Sequence, residues 1–300
     1  MTQLREFFSA REVLEVDTPI ALRYPNADPH IDSLSTELTL REGRIPVYLR
    51  TSPEHAMKRL LAAGFGAIYQ IGKVFRDGEA GRLHNPEFTL VEWYRPGWNH
   101  RRLMQEVGDL VKMLIPGIDV REMTLKAAYQ RWAKVDPWET SLRELRAAVA
   151  TRGGPPCLAF NDCLDFLLSA AVQTGMQKEF PGSAMFLHGY PPSQAALARM
   201  LPGPEPVAAR FELFVDGTEL ANGYWELTDP VEQRARFEEE RQRRHDSGER
   251  DVTPDEHLLA ALGAGMPECA GVALGLERLH MVVQRHPSIE NVICFPSPRA

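Results

Sequence analysis

From Ala67 to Tyr94 the chain reads as strand, polar loop, strand. Ala67 to Phe75 is rich in β-branched and aromatic residues, Arg76 to Pro86 is polar and broken by Gly78 and Gly81, and Glu87 to Tyr94 resumes the apolar alternation. Along the second strand, side chains alternate between faces, so Phe88, Leu90, Glu92 and Tyr94 share one of them. An aromatic ring, a carboxylate and a phenol on one face are odd for a strand that only packs. A ring face suits a planar base, and a carboxylate suits an amine. An amphipathic strand with one buried ion pair accounts for the same residues.

The rest of the chain supplies further strand signals around a few helices. Residues 2 to 13 carry Leu4, Phe7 and Phe8 at helical spacing, and a short strand from Val13 to Val16 stops at Thr18-Pro19. A second helix is expected from Thr51-Ser52-Pro53-Glu54 through Leu61, with Ser52 as cap, Pro53 in the first turn and Gly64 at the end. Asp216-Gly217 marks a tight hairpin within residues 210 to 222. Residues 230 to 247 read as a charged, solvated helix, and Gly271 to Gln284 as a strand running into a helix. The stretch 98–204, punctuated by Gly153-Gly154-Pro155-Pro156 and Pro202-Gly203-Pro204, is expected to be an insertion of helices. The reading is α+β, one domain over residues 1–300.

Composition excludes several classes. With 44% hydrophobic and 25% charged residues, the chain is ordinary globular protein, neither disordered nor fibrous. A net charge of -7 disfavours a long interface with tRNA or DNA. The four cysteines show no Cys-x-x-Cys spacing and are expected to be reduced and mostly buried. There is no apolar run of membrane-spanning length and no signal-peptide layout, so a soluble cytoplasmic protein with no membrane partner is expected. Gly64-Phe65-Gly66 and Gly263-Ala264-Gly265 lack the third glycine of a dinucleotide loop, and neither a phosphate-binding Gly-Lys-Ser/Thr loop nor a His-Glu-x-x-His helix occurs.

Two more segments carry chemistry. With Asp216-Gly217 at the turn, Val215 faces Thr218, Phe214 faces Glu219, and Glu212 becomes a diagonal neighbour of Glu219 at roughly 7 Å. Two such carboxylates can share hard cations bound to a triphosphate, or can be solvent-facing glutamates paired with arginines. In Gly271 to Leu279, small residues let a ligand approach the backbone, and Arg278 rises from the first turn of the helix to grip phosphate.

In this order the pieces resemble a class II aminoacyl-tRNA synthetase core: residues 4 to 19 motif 1, Phe75 to Tyr94 motif 2, Gly271 to Leu279 motif 3. His84-Asn85-Pro86-Glu87-Phe88-Thr89 and Glu219-Leu220-Ala221-Asn222 with Glu226 are similar to lysyl-tRNA synthetase. The segment resembling motif 1 begins within ten residues of the start, so no anticodon-binding domain is expected before it. Thr51 to Glu54, Glu92 to Pro96, Glu219 to Asn222 and Gly271 to Gly275 resemble its free-standing paralogue family, the elongation factor P–(R)-β-lysine ligases.

The resemblance implies an antiparallel sheet flanked by helices, and an enzyme that uses ATP and Mg2+ to activate (R)-β-lysine, or lysine, for transfer to a lysine side chain of elongation factor P. It implies Arg76 at the α-phosphate, His84 and Arg278 at the outer phosphates, and adenine between Phe88 and Arg278. Gly78, Asn85, Gly275 and the Glu219-Leu220 backbone would complete the ATP site, and Glu212 and Glu219 would bind magnesium. Ser52, Glu54, Glu92, Tyr94, Asn222, Glu226 and Ala273 would form the amino-acid pocket; Thr51-x-x-Glu54 also fits a capping box. A homodimer is implied by motif 1, with Phe7 and Phe8 exposed on a lone chain. tRNA is not an expected partner. The chain departs from the pattern at Gly78, where synthetases carry glutamate, and at Ala273, where lysyl-tRNA synthetases have glycine. A truncated lysyl-tRNA synthetase, or another adenylate-forming ligase using α-lysine, is the alternative.

Overall fold

The computed structural model describes residues 1–300, apart from the side chain at position 298. They form two compact units, Met1–Trp98 with Leu227–Ala300, and Asn99–Glu226. In the first unit, α1 (Thr2–Ser9) buries Leu4, Phe7 and Phe8. Phe8 stacks on Tyr69 with ring centroids 4.3 Å apart and meets Trp93 edge-on at 5.2 Å. Phe7 and Phe8 are therefore core residues of a single chain, at 4% and 0% exposure, and not the exposed pair expected of a dimer segment. The helix stops at Ser9 rather than 13 because Glu12 turns left-handed (φ 54) and Val13 N–H returns to the Phe8 carbonyl. That reversal lays β1 (Leu14–Glu15) parallel to a later strand, with Leu14 opposite Ile68 and Glu15 opposite Tyr69.

β2 (Ala21–Leu22), β3 (Ser35–Leu40) and β4 (Gly43–Leu49) make a small sheet in the order β2-β4-β3. α2 (Glu54–Ala62) follows, and Gly64 (φ +86) takes the left-handed turn that ends it. β5 (Ile68–Phe75) and β6 (Glu87–Pro96) pair antiparallel, Ile68 opposite Tyr94 and Phe75 opposite Glu87. Trp93 points to α1, so alternation turns Phe88, Leu90, Glu92 and Tyr94 to the other face.

The second unit opens with α3 (His100–Leu114), capped where Asn99 Oδ1 accepts from Arg102 N–H at 3.0 Å. β7 (Val120–Thr124), α4 (Leu125–Ala128), α5 (Leu142–Ala150), α6 (Phe160–Leu167), α7 (Thr174–Glu179), β8 (Ala184–Tyr190), β9 (Met200–Leu201), β10 (Val207–Val215) and β11 (Thr218–Trp225) follow. The strands lie in the order β11-β10-β8-β7, with β9 on β10 and the β7/β8 pair parallel. The stretch 98–204 thus carries β7, β8 and β9 as well as helices, a correction to the all-helical insertion. Ala184 to Leu187 is buried on both faces, and such a continuous apolar run has no period to set strand apart from helix. Tyr129, Leu145, Leu164, Leu167, Val172, Leu187 and Phe214 pack in this unit's core.

Back in the first unit, α8 (Pro230–Asp246) is mostly exposed, as its charge pattern predicts, but buries Gln233, Phe237 and Arg244. Arg244 Nη2 bonds Asp32 Oδ1 at 2.6 Å, and the Asp32 carbonyl accepts from Asp77 N–H at 2.9 Å, so a buried arginine anchors the start of the loop after β5. α9 (Glu256–Gly265) precedes β12 (Cys269–Gly275), which pairs antiparallel with β6 and leads into α10 (Leu276–Gln284). Strand order here is β1-β5-β6-β12. The sheets are thus mixed, antiparallel except for the β1/β5 and β7/β8 pairs. None of the four cysteines is in a disulfide; Cys163 and Cys269 are buried, but Cys157 and Cys294 are exposed, so only half follow the expected burial. Among the described residues no helix is long and apolar enough to cross a membrane.

Candidate active site

On the face of β6 turned away from α1, Glu92 is 2% exposed and held at both oxygens. Ser52 Oγ donates to Oε2 at 2.8 Å and Tyr94 OH to Oε1 at 2.7 Å. Burial first, and then the nearby Glu54 charge, push the Glu92 carboxyl up to about 7, against the pull of the two hydroxyls and Lys58. Ser52 Oγ also accepts from Glu54 N–H at 2.9 Å, but Ser52 lies one residue before the N-cap, which is Pro53, so the expected Ser52 cap with Pro53 in the first turn is displaced by one position. The Thr51-x-x-Glu54 capping box does not form: Pro53 is the N-cap, and the Glu54 carboxylate instead bonds Lys58 Nζ at 2.5 Å. Lys58 escaped the sequence reading, although its four-residue spacing from Glu54 is an ion-pair signal on a helix. Across the ladder, Ala273 sits directly opposite Glu92. Ser52, Glu54, Glu92, Tyr94 and Ala273 are thereby brought together.

The loop between β5 and β6 holds the phosphate candidates. Its base is closed by Arg76 N–H donating to the Pro86 carbonyl at 2.9 Å. The Arg76 guanidinium lies over the Phe88 ring at 5.1 Å and pairs loosely with Glu79 at 3.5 Å, while its buried Nε has no hydrogen-bond partner within the protein. A buried guanidinium N–H left without an acceptor fits an incoming phosphate oxygen. Gly78 adopts φ +74, a conformation that strains other residues, which is a backbone reason for glycine where the family pattern has glutamate. Glu79 is turned to Arg76.

Arg278 donates from Nη2 to His84 Nε2 at 2.7 Å and from Nε to the Leu83 carbonyl at 3.2 Å. Because a guanidinium only donates, His84 presents Nε2 as acceptor. The two residues expected at the outer phosphates are therefore neighbours, whereas the cation found over Phe88 is Arg76. Asn85 spends its side chain on the protein: Nδ2 donates to the Glu87 carbonyl at 2.6 Å, and Oδ1 accepts from Ser297 N–H at 3.0 Å. A Cβ placed on Gly275 would meet nothing within 4 Å, so the surface there is open to a ligand.

In the second unit, Asp216 (φ 47) and Gly217 (φ 75) make the two-residue turn that the sequence predicts. Val215 pairs with Thr218 and Phe214 with Glu219 as expected, but a bulge then shifts the register. Leu220 is the extra residue, so Glu212 faces Asn222 directly instead of lying one diagonal step from Glu219 in a regular ladder. Glu212 is buried, and burial pushes its carboxyl up to about 7; Arg210 opposes this and the Glu219 charge adds to it. Arg210, also missed in the sequence, bonds Glu212 Oε1 at 2.6 Å and Asn222 Oδ1 at 3.3 Å. The glutamate–arginine pairing thus exists, but with Glu212 buried and Arg210 half-buried rather than both in solvent. Two carboxylates that feel each other's charge are a donor set fit for a hard cation. Glu226 follows β11 directly at 1% exposure, its carbonyl accepting from Arg199 Nε at 3.3 Å.

The sequence model of the class II tRNA synthetases (D, K and N) matches residues 1–299. The chain belongs to this class II synthetase family. Within the family it is 43% identical, over 304 residues, to the elongation factor P–(R)-β-lysine ligase of Vibrio cholerae serotype O1, an alignment spanning 100% of this chain and 94% of that protein. The ligase of the same name from Vibrio parahaemolyticus is 42% identical over 304 residues, covering 99% of this chain and 93% of that one. That of Erwinia tasmaniensis is 40% identical over 302 residues, covering 100% and 93%. The class II resemblance read from the β5–β6 loop and from Gly271 to Leu279 is thus part of a likeness running the length of the chain, and the α+β architecture is that of a class II synthetase domain.

Proposed function

We propose that this chain activates (R)-β-lysine with ATP as an aminoacyl-adenylate and transfers the β-lysyl group to a lysine side chain of elongation factor P. The observation that carries the reading is the Glu92 carboxylate, buried, fixed by Ser52 and Tyr94, and faced by Ala273. A buried carboxylate wants a cationic partner, and a lysine-like substrate brings an ammonium. In the first step a substrate carboxylate oxygen attacks the α-phosphorus, and the bond to pyrophosphate breaks. In the second, an acceptor amine attacks the activated carbonyl and AMP leaves. Arg76 binds and orients the α-phosphate, and His84 and Arg278 take the outer phosphates, so that positioning and charge neutralisation do most of the work. Phe88 offers its ring to adenine, with Gly78, Asn85, Gly275 and Leu220 contributing backbone, and Asn222 and Glu226 serve the amino acid.

Magnesium, which Glu212 and Glu219 would hold, neutralises phosphate charge when bound. Glu219→Gln is expected to cut adenylate formation by about a hundredfold while shifting the melting temperature little. Equal losses of activity and stability would instead make the pair a structural one.

Pyrophosphate exchange with (R)-β-lysine against α-lysine, followed by transfer to purified elongation factor P, tests the whole reading. Preferred α-lysine with no transfer would favour a lysyl-tRNA synthetase-like or other ligase. Ala273→Gly is expected to raise α-lysine relative to β-lysine in kcat/KM by about tenfold, since one methyl beside Glu92 is worth ~1–3 kcal/mol. An unchanged ratio would move selectivity to Ser52 and Glu54.

A homodimer is proposed on the motif 1 resemblance alone, now that Phe7 and Phe8 are accounted for in one chain. A monomeric mass by light scattering at micromolar concentration would overturn it. A cytoplasmic setting, with no tRNA or membrane partner, fits cysteines without disulfides and the acidic balance; recovery of the chain in a membrane fraction would contradict it.

A further inference from the structure

Lys58 lies on α2 one turn after Glu54, and its ammonium side chain is 1% exposed. An exposed Glu–Lys pair at this spacing contributes little to a helix. That gain does not account for burying a charge, which is costly unless strong bonds compensate. The compensation here is a short bond to Glu54, and Glu54 is no neutral partner. Its backbone N–H is fixed by Ser52 Oγ, the same hydroxyl that holds Glu92. Lys58 also acts directly on Glu92 as a favourable charge. One buried ammonium therefore serves two carboxylates that would otherwise repel each other.

The surrounding charges leave this task to Lys58. Arg50, just before α2, feels the Glu92 charge, but its guanidinium is spent on the Thr18 and Lys73 carbonyls and on Thr18 Oγ1. Glu240 on α8 feels Glu54 as a like charge, with Arg236 and Arg243 opposing. Tyr94 on β6 contributes a hydroxyl donor.

We propose that Lys58 is a positioning residue of the amino-acid pocket: its buried ammonium fixes the Glu54 carboxylate beside Ser52 and favours the ionised form of Glu92, so that the pocket is readier for the substrate's ammonium. This rests on the assignment of Glu54 and Glu92 to the amino-acid pocket. Without Lys58, Glu92 holds its proton more tightly than it does in the intact protein, and the substrate must displace that proton to bind.

The test is steady-state adenylation by Lys58→Met, Lys58→Arg and Glu92→Gln, with ATP binding and melting temperature measured alongside. Lys58→Met is expected to raise KM for (R)-β-lysine by about tenfold or more, with kcat and ATP affinity changed far less. The acid limb of its kcat/KM profile should move up by about half a pH unit or more, and Lys58→Arg should restore much of both. A merely structural role would lower the melting temperature and the active fraction without moving the acid limb, and that result overturns the inference. Should Lys58→Met fail to fold, the double variant Lys58→Met/Glu54→Gln removes both charges. An acid limb at the wild-type position supports the inference, and a limb moved upward overturns it. If Glu92→Gln leaves KM for the amino acid unchanged, the pocket assignment itself falls. If Glu92→Gln raises KM but Lys58→Met moves neither KM nor the acid limb, only the role of Lys58 falls.

Discussion

Arg76→Ala is expected to lower pyrophosphate exchange by roughly a thousandfold in kcat, the upper range for removing one preorganised donor from a developing negative charge. The fold should survive. The loop base is closed by the Arg76 backbone N–H on the Pro86 carbonyl, which the substitution keeps. What is lost is a side chain resting on Phe88 and loosely paired with Glu79 at 3.5 Å, contacts worth little to stability when partly exposed. In displacement at phosphorus, charge spreads over oxygens that must be held in line, and a planar fork with an unused Nε is suited to hold them. Arg76→Lys should therefore recover only a small part of the activity, because a point charge cannot reproduce two parallel N–H groups. Exchange within about tenfold of wild type, at an unchanged melting temperature, would remove Arg76 from the reacting phosphate.

The sequence made legible those features whose cause is local. Asp216-Gly217 announces its turn because only certain residues tolerate two successive positive φ angles, and both adopt them. Alternation placed Glu92 and Tyr94 on one face, and they are bonded to each other there. Features decided by distant chain were hidden. The bulge at Leu220 leaves no mark in the hairpin sequence, yet it moves Asn222 opposite Glu212. Phe7 and Phe8 look exposed until Tyr69 and Trp93 arrive from β5 and β6. Lys58 and Arg210 drew no attention in the sequence, since nothing within a few residues says that Lys58 will be buried beside Glu54 or Arg210 half-buried against Glu212. Pattern and motif named the candidate site, but the arginine and lysine that support its carboxylates emerge only from packing.

Glu92→Gln is expected to weaken both lysines together, by roughly a hundredfold or more in kcat/KM, and to leave ATP binding intact. In the free protein the Glu92 carboxyl stands at about 7, above its ordinary range. The substrate ammonium favours the ionised form, so binding should weaken progressively as the pH falls below about 7, and this limb should vanish in the glutamine variant. A neutral isostere such as norleucine would leave the carboxylate without a cation and should be rejected by about 10⁴-fold, as sites built around a buried polar partner do. Stability runs the opposite way. A carboxyl whose folded value is raised binds its proton more tightly in the native state, so its ionisation destabilises the free protein as pH rises from the ordinary carboxylate range through about 7. Glu92→Gln should therefore melt above wild type at pH 8, with the gap closing toward pH 5, and added lysine should narrow the pH 8 gap by stabilising wild type alone. A variant that melts below wild type at pH 8, or one that keeps the acid limb, would show that Glu92 is neither strained in the free protein nor the group that meets the ammonium.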